Sequence, residues 1–409
     1  MTRSGRHHTD HPAPPPAIAR DDPDFARVLL ALACAGLSTF GLLYCVQPLL
    51  PIFAADFRLD AASASLAVSA GTGALAVGLL FGSALSDRWG RKPVMTAALY
   101  LAALLTLLTA AAPTWPALVI LRALSGLVLA GAPAVAMAYV SDELAPEAAS
   151  FAMGLYIAGT ALGGMCGRLG CGALADLVGW RGAVALTGAA GAMAAGLFHW
   201  SLPPSRRHRP ARGQGLAGRL EGFAAAFRDP GLPWLFAEGG VLMGAFVTVY
   251  NYLAFRLLQP PYRLGQAAIA AVFALYLVGM VGSALFGAAA GRHGRRAVFW
   301  LPIVLMLAGV GLTLLRPLGA IVAGVGLLTF GFFGAHSIAS SWVGQRSGAH
   351  KAPAASLYLL CYYVGSSVAG SLGGLVWAHA GWPGVAAYAA ALVVLALVGA
   401  VRLAVLKPV

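Results

Sequence analysis

The chain has 409 residues, of which 59% are hydrophobic and only 10% are charged, and its mean hydropathy is +0.80. Soluble domains carry about 25% charged residues, so this composition excludes an ordinary soluble enzyme. The formal net charge of +13 would suggest a nucleic-acid partner for a soluble protein. In a chain this apolar, the positions of the basic residues must first be tested against membrane topology.

The beginning of the chain is polar. Residues 1–26 are rich in proline, histidine and aspartate, and they lack the apolar stretch of a signal peptide. We predict a disordered cytoplasmic tail over this range.

Apolar segments bounded by proline, glycine or charged residues follow the tail. A bilayer crossing takes about 20 residues, so each segment can cross a membrane once. The first six lie at residues 28–54, 62–84, 93–112, 115–140, 148–171 and 182–202. The second six lie at residues 232–257, 266–288, 298–315, 317–340, 353–377 and 383–404. The pattern predicts an all-α membrane protein with twelve transmembrane helices in two six-helix halves.

A polar stretch separates the two sets of segments. It covers residues 203–231, contains six arginines, and is predicted to be a cytoplasmic linker. The N-terminal half would then span residues 27–202 and the C-terminal half residues 232–404, with a second short cytoplasmic tail at 405–409.

The basic residues indicate the orientation of the segments. With the N-terminus inside, 20 of the 27 Lys and Arg residues fall in tails, linker and loops of the inner side. Positively charged loops stay in the cytoplasm, so both termini are predicted to be cytoplasmic. The positive charge therefore needs no nucleic-acid partner.

Two internal matches relate the halves. The loop 87–92, between segments 2 and 3, matches 291–296 at an offset of 204, with Gly291 in place of Asp87. The pattern of 155–180 recurs at an offset of 202. Parallel six-helix repeats are an architecture of secondary transporters.

The same loop carries a family resemblance. Residues 83–92 are similar to the signature loop between helices 2 and 3 of the major facilitator superfamily (MFS), with Ser83 in place of its leading glycine. Longer stretches at 43–52, 154–168, 236–248 and 331–342 resemble the YnfM-like bacterial inner-membrane permeases. The resemblance implies the MFS fold, the bacterial inner membrane as location, and a secondary transporter of small molecules.

Segment 5 resembles the glycine-rich motif of the drug/proton antiporter branch of that superfamily. The matching residues are Gly159, Gly163 and Gly164, and Thr160 stands where the motif usually has proline. Arg168 follows in the same segment without a counterpart in the motif, and we predict either a gate residue or a tether.

The resemblance also implies a conformational latch. Its members are Asp87, Arg88, Gly90 and Arg91 after segment 2, and Asp142 and Glu143 at the end of segment 4. Asp87 would cap the start of helix 11, and Arg91 would pair with the acids. The latch would hold the outward-open state.

Ionisable groups inside a membrane are costly and therefore mark candidate sites. Glu238 lies about six residues into segment 7, roughly 10 Å from the cytoplasmic edge. His336 lies four or five residues from the cytoplasmic end of segment 10. We hypothesise that both form or flank a protonation site, although each could instead be a packing residue bonded to a neighbouring helix.

Arg122 in segment 4 belongs to a stretch similar to the RxxxG element of the superfamily, which implies a role in proton coupling. With no acid nearby in its own half, it could equally be a tether between helices.

Four polar or aromatic side chains of segments 1 and 7 are candidates for substrate contact. They are Tyr44, Gln47, Tyr250 and Asn251. Aromatic residues near helix ends also form interface belts, so this role competes with a structural one.

The leading function is a proton-coupled exporter of small hydrophobic or amphipathic molecules, not an enzyme, working as a monomer in the lipid bilayer. No GxxxxGK[ST] loop for ATP hydrolysis occurs in the sequence, so the proton gradient is the expected energy source, with no metal or cofactor. Proton-coupled uptake and a non-transporting sensor are the alternatives.

Overall fold

A computed structural model describes residues 16–207 and 216–406, which are almost entirely helical. The first half contains α1 (Pro23–Asp56), α2 (Ala61–Trp89), α3 (Arg91–Ala110), α4 (Trp115–Leu129 and Pro133–Glu143), α5 (146–178) and α6 (180–201). The second half contains α7 (Leu232–Leu258), α8 (Gln266–His293), α9 (Arg295–Leu312), α10 (Leu318–Arg346), α11 (351–380) and α12 (382–405).

Glycines divide the two longest helices. Pro146–Ser201 has 56 residues and Lys351–Val405 has 55, more than twice what one crossing needs. Gly179 has φ 71° and Gly381 has φ 56°, a left-handed conformation that glycine adopts without steric cost. Nine helices of the described residues are long and apolar enough to span a membrane. Divided at these two glycines, they can provide eleven crossings, and the shorter apolar helix Trp115–Leu129 can provide a twelfth. Twelve crossings stay a prediction.

The helix ends form two faces. The terminal face contains the start of α1 and the end of α6, where Arg27 donates a hydrogen bond to the Trp200 carbonyl at 3.3 Å. The opposite face, called the far face here, contains the turns after α1 and α9. There Trp180 donates to Asp56 at 2.7 Å, and Trp382 donates to the Thr313 carbonyl at 3.1 Å.

Small residues allow the closest helix contacts, and they do so in the same way in both halves. A Cβ atom at Gly163 would collide with the backbone of Leu37, where α5 packs on α1. A Cβ atom at Gly365 would collide with the backbone of Gly240, where α11 packs on α7. Such close approach is typical of membrane helices.

The outer surface is apolar. Phe81, Ile120, Leu285 and Val394 are each between 47% and 61% exposed. Soluble monomers rarely expose apolar patches of this extent, so the surface is suited to contact with lipid tails.

The two polar stretches differ from the sequence expectation. Residues 16–26 are not a disordered tail, because Ile18 is buried, its N–H donates to the Glu143 carbonyl at 2.8 Å, and α1 begins at Pro23. The expected disorder of 1–15 lies outside the described residues. The linker contains a helix, Leu216–Arg228, which the sequence analysis did not predict.

Candidate functional site

A cavity of about 180 Å³ lies between the two halves. Its walls come from α1 and α5 of the first half and from α7, α8, α10 and α11 of the second. Of the residues proposed from sequence, Tyr44, Thr160, Gly164, Arg168 and His336 line it. No acidic side chain occurs among the described residues that form its walls.

Arg168 is the cation of this cavity. Its side chain folds back along α5, as helical side chains tend to do, and Nη1 donates to the Gly164 carbonyl at 2.6 Å. Nε donates to Oε1 of Gln47 at 2.6 Å. The guanidinium carbon also lies 4.1 Å from the ring centre of Tyr44 and 4.9 Å from that of Tyr276. Rings at these distances stabilise a cation in a dry environment.

An amide bridge joins α1 to α7 beside Arg168. Nε2 of Gln47 donates to Oδ1 of Asn251 at 2.7 Å, and both side chains are buried. The two residues are 204 positions apart, so they occupy equivalent places in the two halves. Gln47 therefore connects the cation of the first half to the second half.

Tyr250 is close to the cavity but has a different environment from Tyr44. Its hydroxyl lies 2.8 Å from Oγ1 of Thr329, and its ring stacks on Phe273 with 5.1 Å between centres. It is not among the described residues that line the cavity, so the structure gives it a packing role here.

Arg122 is fully buried away from the cavity, at a break in α1. Pro48 lacks an N–H group and its ring clashes with a preceding carbonyl, so the helix cannot continue through it. Arg122 donates to the freed carbonyls of Leu42, at 3.0 Å, and Leu43, and to that of Ala67 in α2 at 3.2 Å. A cation is favourable at the negative end of a helix, so the geometry favours the tether over a coupling role.

His336 reaches the cavity from α10. Its Nδ1 atom lies 2.8 Å from the Tyr358 hydroxyl of α11, and its ring stacks on Phe332 with 5.9 Å between centres. Helix α10 continues to Arg346, so His336 lies about 15 Å from its end. This is deeper than the sequence analysis expected, because the helix extends beyond the predicted segment.

Glu238 is buried on the other side of α7. Its Oε1 atom occupies the space that a side chain at Gly399 of α12 would need. Neither carboxyl oxygen has a hydrogen-bond partner among the described residues, and Glu238 does not line the cavity there. Tyr358 packs on the adjacent Gly239. The expected pair of Glu238 and His336 is therefore not in one space, and Tyr358 lies between them.

The proposed latch residues meet at the terminal face. Nη1 of Arg91 lies 2.9 Å from Asp87, and Nη2 lies 3.2 Å from Asp142. Gly90, with φ 91°, makes the turn between α2 and α3, and Arg88 is exposed.

Glu143 was expected to pair with Arg91, but its carboxylate has other partners. Its carboxylate accepts hydrogen bonds from the backbone N–H groups of Arg206 at 3.0 Å and Arg207 at 2.9 Å. It therefore anchors the beginning of the linker to the first half.

The end of the linker is anchored to the second half. Asp229 accepts from Nε and Nη2 of Arg346 at 2.8 and 2.9 Å, and from the N–H groups of Gly231 and Leu232 at the start of α7. Partial burial alone would raise the pKa of Asp229. These hydrogen bonds outweigh burial and lower the pKa of Asp229 below its usual value.

The glycine motif of α5 serves packing and the cavity at once. Side chains at Gly159 and Gly163 would meet the α1 backbone, and one at Gly164 would lie 2.9 Å from Nη1 of Arg168. The Thr160 hydroxyl donates to the Ile157 carbonyl at 2.6 Å, so its donor has a partner within the same helix.

Most of the aromatic wall was not predicted from the sequence. Phe246, Phe332, Tyr276, Tyr362 and Tyr363 line the cavity, and Phe246 stacks on Phe332 with 4.0 Å between ring centres. The paired aromatics at 332–333 and 362–363 were visible in the sequence, but in apolar segments such residues cannot be told from ordinary packing residues.

Several close contacts between the halves, among the residues that the structure describes, lie between the cavity and the far face. Besides the amide bridge, Oγ of Ser367 donates to the Ser69 carbonyl at 2.7 Å, and Oδ2 of Asp176 accepts from the Ala267 N–H at 2.8 Å. A Cβ atom at Gly172 would collide with Ala270. Helices α1, α2 and α5 thus meet the second half closely toward the far face.

The family model of the Major Facilitator Superfamily matches residues 29–356. The chain belongs to the major facilitator superfamily. It is a multi-pass membrane transporter and not an enzyme, as the resemblance predicted. The chain is 46% identical over 386 residues to the inner membrane transport protein YnfM of Escherichia coli (strain K12), covering 94% of this chain and 92% of that protein.

A second relative supports the same assignment, and a solved structure supports the fold. The MFS-type transporter YybF of Bacillus subtilis (strain 168) is 40% identical, and the match covers 90% of this chain and 91% of YybF. A bacterial homologue of the human lysosomal transporter Spinster, in an inward-facing and occupied conformation, has a similar fold with a TM-score of 0.76. The match covers 94% of this chain and 97% of that one at 15% identity, which supports the fold alone.

Proposed function

We propose that this MFS transporter exports small hydrophobic or amphipathic molecules from the cytoplasm in exchange for protons. The observation that carries the proposal is the aromatic cavity between the halves, which both halves line and which lies on one side of their closest contacts. Rocking of the halves around such a cavity is the basis of alternating access.

The terminal face is cytoplasmic in this proposal, because the tails, the linker and most basic loops lie there. The contacts of Gln47 with Asn251 and of Asp176 with Ala267 then close the periplasmic side. The described conformation is accordingly assigned to an inward-facing state. On the terminal face, the Arg91 pairs with Asp87 and Asp142 belong to a latch that acts when that side closes.

Glu238 is the proposed proton carrier. An ionised carboxylate without partners would be a strongly unfavourable buried charge, so in this state Glu238 holds a proton. The pair of His336 and Tyr358 connects the cavity to the neighbourhood of Glu238 and would transmit the presence of substrate. Arg122 is assigned to holding the broken α1 in place.

Transport by proteoliposomes tests this proposal. The orientation of the protein is first established from protease access to the termini. A pH gradient is then imposed in either direction, and accumulation is followed for three slowly permeating aromatic solutes: benzenesulfonate, phenylalanine and phenyltrimethylammonium. Acidifying the far-face compartment should drive at least one of them into that compartment. Accumulation on the terminal-face side under the same gradient would instead establish uptake, and binding without flux would favour a sensor.

Replacement of Glu238 isolates the coupling step. Glu238→Gln should abolish accumulation driven by the gradient while leaving exchange of labelled for unlabelled solute intact. Glu221→Gln, a change of the same type at an exposed position of the linker helix, should affect neither. Gradient-driven accumulation by the Glu238→Gln variant would rule out this carboxyl as the proton carrier.

A further inference from the structure

We propose that Arg168 forms an anion subsite and that the substrates are small aromatic monoanions, with a carboxylate or sulfonate beside the guanidinium and a ring between the aromatic walls. The inference rests on the proposed transport function and specifies its substrate class.

The charge of the cavity supports an anion. Arg168 is 2% exposed and lines the cavity, and no acid is found among the described lining residues. His336, the other ionisable group with a basic form there, points its Nδ1 atom at Tyr358. A buried cation without a counter-charge favours a ligand that brings one, and it disfavours a cationic ligand.

The guanidinium has an unused donor. Nε and Nη1 donate to Gln47 and to the Gly164 carbonyl, whereas Nη2 makes no hydrogen bond with the described residues. The ring centres of Tyr44 and Tyr276 lie within 4.9 Å of the guanidinium carbon, and Nη2 is the atom left for a new partner. Hydrogen bonds from a guanidinium edge suit the planar carboxylate.

The size and the walls of the cavity suit one aromatic ring. An apolar cavity of about 150 Å³ binds benzene, and this cavity measures about 180 Å³. Phe246, Phe332 and Tyr362 supply apolar ring surfaces in the wall, and aromatic rings pack favourably against each other. A benzene ring with one small charged group therefore fits the available space.

Glycine at position 164 makes room for the subsite. A methyl group there would lie 2.9 Å from Nη1 of Arg168, so even alanine would push the guanidinium aside. The absence of a side chain lets the arginine lie flat along its own helix and face the cavity.

Binding of benzoate and of its neutral isostere benzamide to the purified protein tests the inference. The wild-type protein should bind benzoate at least about tenfold more tightly than benzamide, which corresponds to one charge-assisted hydrogen bond. Arg168→Gln should abolish this preference, with benzamide affinity changed by less than about threefold. Arg168→Lys should keep part of the preference, because the charge remains. Arg292→Gln removes the same charge at an exposed site of the terminal face and should leave the preference unchanged.

Because the readout is a ratio of two ligands, a variant that is merely less stable does not mimic the expected result. Equal wild-type affinity for both ligands, lack of binding of either one, or a preference that survives in Arg168→Gln would overturn the inference. In the transport experiment, accumulation of phenylalanine or phenyltrimethylammonium but not benzenesulfonate would overturn the anion subsite and leave the export proposal standing. Tight benzoate binding without accumulation of any solute would support the anion subsite and overturn the export proposal.

Discussion

Gly163 in α5 and Gly365 in α11 let two helix pairs approach in the same way in the two halves, yet four charged or ionisable residues deep within the helices have no counterparts across the repeat. Arg122 and Arg168 of the first half correspond to Gly326 and Gly370 of the second. Glu238 and His336 of the second half correspond to Cys34 and Ala132 of the first. The two halves thus share the glycines at their closest helix contacts, and they differ in the charged residues buried within the helices.

The largest expected effect concerns the broken helix. In α7 the position of Pro48 is occupied by Tyr252, the helix is continuous from Leu232 to Leu258, and no cation is needed. Arg122→Met should lower the free energy of unfolding by about 3–5 kcal/mol, because it removes three buried hydrogen bonds from a charged donor to main-chain carbonyls. Chemical unfolding in detergent micelles measures this loss.

The double variant Arg122→Met with Pro48→Ala sharpens the same prediction. A residue with an N–H group at position 48 removes one of the two prolines that interrupt α1, although Pro51 remains, so part of the loss should be recovered as a favourable coupling energy. If Arg122→Met unfolds like the wild-type protein, capping of the break does not matter to stability.

The next effect tests the shared packing. Gly163→Ala and Gly365→Ala should each destabilise the protein by about 1–3 kcal/mol, since a methyl group meets backbone atoms that cannot move aside easily. Gly170 lies in the same helix as Gly163 with nothing within 4 Å of the added methyl, and Gly170→Ala serves as the control. Thermal unfolding should shift for the first two variants alone. Equal shifts in all three would show that contact distance does not decide the cost.

A smaller loss of stability is expected when either of two ion pairs at the terminal face is broken. The Asp229 side chain is 18% exposed and that of Asp142 is 33% exposed. Asp229→Asn should cost roughly 1.5 kcal/mol at neutral pH, and Asp142→Asn less than about 1 kcal/mol.

The pH dependence of that difference follows from the lowered pKa of Asp229. A carboxyl whose folded-state pKa lies below its unfolded value stabilises the fold above the unfolded value and loses this contribution as the pH falls through the folded value. The gap between wild type and Asp229→Asn in unfolding experiments should therefore be full at neutral pH and shrink below about pH 4. A gap that grows on acidification would contradict the assigned ion pair.

The smallest effect concerns the amide bridge, whose two residues occupy equivalent positions in the two halves. Gln47→Ala and Asn251→Ala should be coupled by about 0.5–1.5 kcal/mol in a double-mutant cycle, the worth of one buried hydrogen bond. Unfolding free energies of the two single variants and the double variant give the coupling. Strict additivity would mean that the bridge at 2.7 Å adds no stability.

Much of the fold could be read from the sequence, and much less of the site. The signals for the fold are local in the sequence. They are the lengths of the apolar segments, the glycines at 179 and 381, and the loops at 87–92 and 291–296, which repeat at a fixed offset. Arg168 was visible as a charge in a helix, but its rings come from α1 and α8, far away along the chain. Glu238 and His336 were expected in one space, and the rotation of α7 separates them.

Composition, hydropathy and the repeat by themselves determined an all-helical membrane protein built from two halves, because crossing a bilayer imposes length and polarity on each segment independently of its neighbours. The superfamily was indicated by the resemblance of the loop 83–92 to a known signature. Only the tertiary structure decided what each buried charge does. Arg122 meets carbonyls freed by a proline of another helix, Arg168 meets rings from both halves, and Glu238 faces Gly399. The environment of a side chain between helices is set by which faces meet, and no local pattern in the sequence encodes that.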